Sequence, residues 1–157
     1  MININSILGS IFKENNSENN NLEKLKISRV DLEKRILRKK TNLGTDIGIN
    51  LNSSTKLQHG DIIGNNEIKI IVEQIPEKVI SVKLKEDDEK IAILLGHIIG
   101  NRHRPIAIKD KMILFPIQED SELEIFQRLL KEIIEHIELK IKEEIFLPHT
   151  SADVHEH

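Results

Sequence analysis

The stretch Ile133-Ile134-Glu135-His136-Ile137-Glu138-Leu139-Lys140-Ile141-Lys142 decides the fold of the second half of the chain. Ile137, Leu139 and Ile141 alternate with Glu138, Lys140 and Lys142, the two-residue period of a half-buried strand. Leu130, Ile133, Ile134, Ile137 and Ile141 also fall on one helical stripe, and no Gly or Pro separates the two readings. With the strand reading, the order from residue 77 is β-α-β-β-α-β, the ferredoxin-like split βαβ arrangement. With the helix reading, the last strand is lost.

Working back from this stretch, Ser121-x-x-Glu124 reads as a capping box opening a helix through Leu123, Phe126, Leu130 and Ile133. Before it, Ile106 and Ile108, then Met112 to Phe115, read as two strands joined by Lys109-Asp110-Lys111. Ile91, Leu94, Leu95, Ile98 and Ile99 follow the i, i+3, i+4, i+7, i+8 spacing of an amphipathic helix capped by Asp87 or Asp88. Gly100 is placed to close that helix in the left-handed conformation, and Pro105 blocks its continuation. Ile80, Val82 and Leu84 alternate with lysine and serine as a strand.

Before Pro76 the pattern is different. Ile2 and Ile4, more loosely with Ile7 and Leu8, suggest a first strand. Val30, Leu32 and Ile36 share one parity, and Ile47 to Leu51 alternates. Turns at Asn52-Ser53-Ser54, at Gln58-His59-Gly60-Asp61 and at Gly64-Asn65-Asn66 separate the apolar stretches Ile62-Ile63 and Ile68 to Val72. Short strands at this spacing predict a small all-β module. Residues 15–21 hold five Asn and read as a loop. The expected architecture is therefore α+β: a β domain over 1–76, a ferredoxin-like domain over 77–147, and a short flexible His-containing tail over 148–157.

Composition narrows the function. The chain has 157 residues, no Cys, Trp or Tyr, and 23 Lys+Arg against 26 Asp+Glu. Without Cys there are no disulfides, thiolate metal sites or Cys nucleophiles. Slight net acidity argues against nucleic acid as partner. Lys34-Arg35-Ile36-Leu37-Arg38-Lys39-Lys40 is basic but lacks interleaved aromatics, and reads as a solvated strand face. No apolar run is long enough for a membrane span, and the N-terminus has neither a basic n-region nor a continuous apolar core. A soluble cytoplasmic protein is expected. P-loop, Gly-x-Ser-x-Gly and His-Glu-x-x-His motifs are all missing from the chain, so no catalytic nucleophile–base pair emerges.

Histidine placement is the remaining chemical signal. His103 lies in Gly100-Asn101-Arg102-His103-Arg104-Pro105, flanked by two cations, which disfavour imidazolium and so favour the neutral, metal-coordinating form. The bland alternative is a surface imidazole bonded to backbone. His97, on a helix lined with Leu and Ile, is expected to be a satisfied, partly buried side chain. His155 and His157 form an i, i+2 pair in the tail, after His149, and His59 and His136 are isolated. One imidazole holds a divalent metal weakly. A C₂ dimer supplies two copies of His103, and a tail histidine supplies a further ligand. An all-imidazole site suits Ni, Cu and Zn rather than Mg or Ca.

The segment from Leu95 to Ile106 resembles the His-x-x-Gly-Asn-Arg/Lys-His-x-Pro element of the urease accessory protein UreE family, through Gly100, Asn101, Arg102, His103 and Pro105, with His97 at the matching offset. Ile7-Leu8-Gly9, Gly44-Thr45-Asp46-Ile47-Gly48 and Leu57-Gln58-His59-Gly60-Asp61-Ile62 resemble the family's N-terminal β domain, and Glu144-Ile145-Phe146-Leu147-Pro148 its last segment before the tail. The resemblance implies a cytoplasmic nickel metallochaperone that is not an enzyme. It implies homodimerisation through the ferredoxin-like domain, and transfer of Ni²⁺ to the urease apoprotein complex through the accessory GTPase UreG. It assigns His103 as the main ligand, meeting its copy at the dimer axis, and His155 and His157 as tail ligands, with Zn²⁺ able to compete. It also favours the strand at Ile137 to Ile141. Two departures stand out: the tail holds only three histidines, and Phe115 to Asp120 holds none. Two rival functions are a metal-independent scaffold in a protein assembly complex and a zinc-dependent hydrolase using His97 and His103.

Overall fold

The structure is a computed structural model that describes residues 1–13 and 22–149. The chain divides into two compact units, Met1–Ile75 and Pro76–His157.

The first unit holds two sheets. One is three-stranded, from β1 (Ile2–Ile4), β4 (Ile36–Lys40) and β5 (Asp46–Asn50), in the order β1-β5-β4. The other is four-stranded, from β2 (Ile7–Ser10), β3 (Glu23–Ile27), β6 (Asp61–Gly64) and β7 (Lys69–Gln74), in the order β2-β6-β7-β3. Ile4, Ile47 and Ile49 of the first sheet join Leu25, Ile27, Ile63, Ile70 and Val72 of the second in one buried cluster. With few aromatics, this core is built almost entirely from Ile, Leu and Val, and each such side chain contributes roughly 1.5–3 kcal/mol on burial.

Three readings of the N-terminal pattern are corrected here. The first strand is two strands, β1 and β2, belonging to different sheets. The parity of Val30, Leu32 and Ile36 is not a strand: Arg29–Leu32 is a single helical turn, α1, whose cap Ser28 accepts a hydrogen bond from the Asp31 N–H. Val30 is exposed while Leu32 is buried, and the strand begins only at Ile36. β3 has no counterpart among the expected strands, although Leu25 and Ile27 alternate with Lys24 and Lys26. The Asn-rich segment lies outside the described residues.

Three cations of the basic run over 34–40 meet carboxylates. Lys34 and Lys39 both reach Asp31, at 2.7 and 3.0 Å, and Arg38 makes a two-pronged contact with Asp46. Hydrogen bonds from the two lysines hold the Asp31 carboxyl down at about 2.

In the second unit, β8 (Glu77–Leu84), β9 (Ala107–Lys109), β10 (Met112–Pro116) and β11 (Ile137–Glu144) form an antiparallel sheet in the order β11-β8-β10-β9. The deciding stretch is thus a strand, paired along its whole length with β8 from Ile137 opposite Leu84 to Glu144 opposite Glu77. The helix before it, α3 (Glu122–Leu129), stops short, and a 3₁₀ segment over Lys131–His136 carries the chain to the sheet. α2 (Glu89–Gly100), α3 and the 3₁₀ segment share one buried cluster with the sheet, including Ile80, Val82, Leu95, Ile99, Phe115, Phe126 and Ile133. A smaller cluster, Val79, Leu114 and Phe146, is separate from it.

Local chemistry explains the ends of these elements. Asp88 caps α2 by accepting from the N–H groups of Lys90 and Ile91. β9 and β10 form a hairpin through Asp110 and Lys111, both at positive φ (48° and 65°), as a two-residue turn of this hand requires. The expected capping box at Ser121 does not form. Ser121 has helical dihedrals and makes no side-chain cap, and it is Glu122 that satisfies the preceding N–H groups of Gln118 and Glu119. Among the described residues, no helix is long and apolar enough to cross a membrane.

Candidate metal-binding turn

The turn that leaves α2 is built by three successive backbone bonds: Asn101 N–H to His97 O at 3.1 Å, Arg102 N–H to Ile99 O at 3.0 Å, and His103 N–H to Gly100 O at 3.1 Å. The left-handed residue expected at Gly100 lies instead at His103, with φ of 54°. The physical reason is that the helix tightens by one further turn before the chain reverses. Histidine is among the non-glycine residues that tolerate this conformation best. Asn101, Arg102 and His103 are exposed, whereas Arg104 and Pro105 are half-buried.

His97 is exposed, not partly buried as its apolar helix suggested. It lies on the side of α2 away from Ile91, Leu95 and Ile99, which face the core. Its Nε2 lies 3.4 Å from the side-chain amide of Asn101. The same outward face carries Ile93, 71% exposed, and Gly96 and Gly100, where an added Cβ would meet no atom within 4 Å.

Of the two cations that flank the imidazole in sequence, Arg104 has partners elsewhere in the domain. Its guanidinium donates to the Pro116 carbonyl at 3.0 Å and to Glu122 Oε1 at 2.5 Å, and stands 5.2 Å from the centre of the Phe126 ring. One of the two positive charges is therefore compensated. Burial pushes the Glu122 carboxyl up, but Arg104 and the N–H groups of Gln118 and Glu119 outweigh it and hold the group below its usual range. No local pattern could have found this pair, because its members lie 18 residues apart.

The tail is anchored where it begins. Phe146 is buried against Val79 and Leu114, and the His149 N–H donates to the Ile106 carbonyl at 2.7 Å. The expectation of an untethered tail from Pro148 is thus corrected for its first two residues. His155 and His157 lie outside the described residues.

Of the other histidines, His59 is engaged through its imidazole and His136 through its backbone. His59 Nδ1 accepts from the Gln74 N–H at 3.1 Å, and its ring meets Phe12. The His136 carbonyl accepts from the Lys85 N–H. Among the described residues, no three His, Asp or Glu side chains converge on a common point.

Comparison with known proteins points in one direction. Residues 4–75 match the family model of the UreE urease accessory protein, N-terminal domain. The urease accessory protein UreE of Staphylococcus epidermidis is 34% identical over 131 residues, covering 83% of either chain. That of Staphylococcus saprophyticus is 32% identical over 140 residues, covering 88% of this chain and 91% of the relative. That of Streptococcus vestibularis is 28% identical over 148 residues, covering 94% and 95%. Each is named as an accessory to an enzyme, not as an enzyme. With its histidine turn and relatives spanning both units, the chain belongs to the UreE family of urease accessory proteins.

Proposed function

We propose that the protein is a nickel carrier for urease maturation, binding Ni²⁺ as cargo at His103 and releasing it to the urease assembly complex. The observation that carries this reading is the placement of His103: exposed, projected by a fixed left-handed turn, with the root of a histidine-bearing tail bonded to Ile106 three residues on.

One imidazole is a weak site, so a second must come from elsewhere. The antiparallel order β11-β8-β10-β9, with α2 between β8 and β9 and α3 between β10 and β11, supports a ferredoxin-like domain, with the β unit left for partner contacts. The outward face of α2, apolar at Ile93 and small at Gly96 and Gly100, suits close approach of a second copy. Such a homodimer duplicates His103 at its axis. From His149 the chain needs about six further residues to reach His155, a span of up to ~20 Å, enough to bring a tail imidazole back to the turn.

This chemistry suits a cytoplasmic carrier. Neutral imidazoles bind nickel, and zinc competes for the same nitrogens. Protons compete with the metal, so affinity falls on acidification. Tail dissociation opens the site for transfer to a partner such as the accessory GTPase UreG.

The test is a Ni²⁺ titration by calorimetry on the wild type and His103→Ala, with solution mass measured in parallel. One tight nickel per dimer, lost in the variant while the dimer persists, is the expected result. Unchanged binding in the variant moves the site away from His103. Absence of binding in both favours the metal-independent scaffold.

A further inference from the structure

An L-residue in the left-handed region is unfavourable unless its surroundings over-determine it. His103 is held on both sides. Upstream, the tightened last turn of α2 bonds the Arg102 and His103 N–H groups to the carbonyls of Ile99 and Gly100. Downstream, Pro105 disfavours helical backbone at Arg104, and the Arg104 side chain reaches into the domain.

That side chain has three partners from two other elements. The Pro116 carbonyl ends β10, Glu122 opens α3, and the Phe126 ring lies beneath the guanidinium. Phe126 is itself buried, its ring 4.5 Å from that of Phe115. Glu122 is equally tied: one carboxylate oxygen meets Arg104 and the other accepts from the N–H groups of Gln118 and Glu119. The ion pair is largely sheltered, with its side chains 27% and 17% exposed. A guanidinium can meet a carboxylate and a carbonyl at once in a fixed plane, and an ammonium cannot.

We propose that Arg104, clamped by Glu122 and Pro116, is a positioning residue that fixes the direction of the His103 imidazole for metal binding. The inference rests on the reading of His103 as a nickel ligand and adds what makes that ligand rigid. A site shared between two copies gains from imidazoles that already converge, because no ordering cost is then left to the metal. Arg104 acts on the backbone that carries the ligand, in the way that groups behind a metal ligand commonly tune affinity by 10–100-fold.

The experiment uses the full chain with Ni²⁺ as the probe. Arg104→Met, Arg104→Lys, Glu122→Gln and His103→Ala are compared by calorimetry, by denaturant midpoint and by counting imidazole nitrogens around nickel with X-ray absorption. Arg104→Met is expected to weaken nickel binding by about 10-fold and to lower the imidazole count, with the folded fraction unchanged. Arg104→Lys recovers part of the loss, and Glu122→Gln shows a smaller loss of the same kind. Glu122→Gln carries the test alone if Arg104→Met does not fold. Wild-type affinity in these variants, with binding lost in His103→Ala, overturns the clamp and leaves the ligand reading standing. A loss that merely follows the unfolded fraction also overturns it. Wild-type binding in His103→Ala overturns the ligand reading itself, and the clamp with it.

Discussion

The His149 N–H donates to the Ile106 carbonyl across 2.7 Å, so the root of the tail is fixed beside the histidine turn by a backbone bond. This makes a prediction that separates backbone from side chain. His149→Pro removes the donor, whereas His149→Ala keeps it. One backbone hydrogen bond contributes about 0.5–1.5 kcal/mol. If the tail closes the nickel site, His149→Pro should weaken binding by several-fold in calorimetry, toward the value for a chain lacking residues 150–157. His149→Ala should bind more tightly than His149→Pro.

The outward face of α2 gives a second test. Ile93 is 71% exposed, so Ile93→Glu removes no core contact and should leave the circular dichroism of the protein unchanged. If that face is the twofold interface, the charge is buried in the dimer and is costly there. Sedimentation should then show a shift toward monomer, and nickel capacity should fall with it. A dimer that persists would place the interface elsewhere.

Two glycines should respond in opposite directions. Gly64 has φ of 155°, and a Cβ there would lie 1.9 Å from the Ile68 carbonyl oxygen. Gly64→Ala should destabilise the first unit by about 2–4 kcal/mol, from backbone strain and overlap together. Gly96 lies in a helix with open space around it, so Gly96→Ala should stabilise by up to about 1 kcal/mol, less whatever it costs a dimer contact. Urea midpoints of the two variants measure the contrast.

Asp31 sets an acid limit on the first unit. Its carboxyl is held at about 2, from a usual value of 3.8, by hydrogen bonds from Lys34 and then Lys39. A lowered folded-state value means that the unfolded chain binds the proton first. The contribution is therefore complete above about pH 4 and lost as pH falls toward 2. Asp31→Asn should show a shallower loss of stability over that window than the wild type. Urea midpoints at stepped pH would count against the assignment if both fell in parallel.

What was legible in the sequence was what depends on near neighbours. The α2 stripe of Ile91, Leu95 and Ile99, its Asp88 cap and the hairpin at Asp110 and Lys111 each rest on residues within a few positions of one another. β3 is equally local, carried by the alternation of Lys24, Leu25, Lys26 and Ile27. The misreadings have local causes too. Val30, Leu32 and Ile36 have strand parity, but a serine three positions before Asp31 captures its N–H and turns the chain into α1. Ser121 has the letters of a cap, but its helical dihedrals carry the hydroxyl away from that role.

Several of the helices, strands and turns, the histidine-bearing turn among them, can be read from the chain alone, because capping, periodicity and turn chemistry act over a few residues. Between strand and helix at Ile137 the choice rests on long-range pairing. The apolar residues there satisfy both periods, and the choice is made by pairing with β8, far back in the chain. Tertiary structure likewise turned Arg104 toward Glu122. Such features are set by which distant groups complete a residue's hydrogen bonds, and no local pattern carries that information.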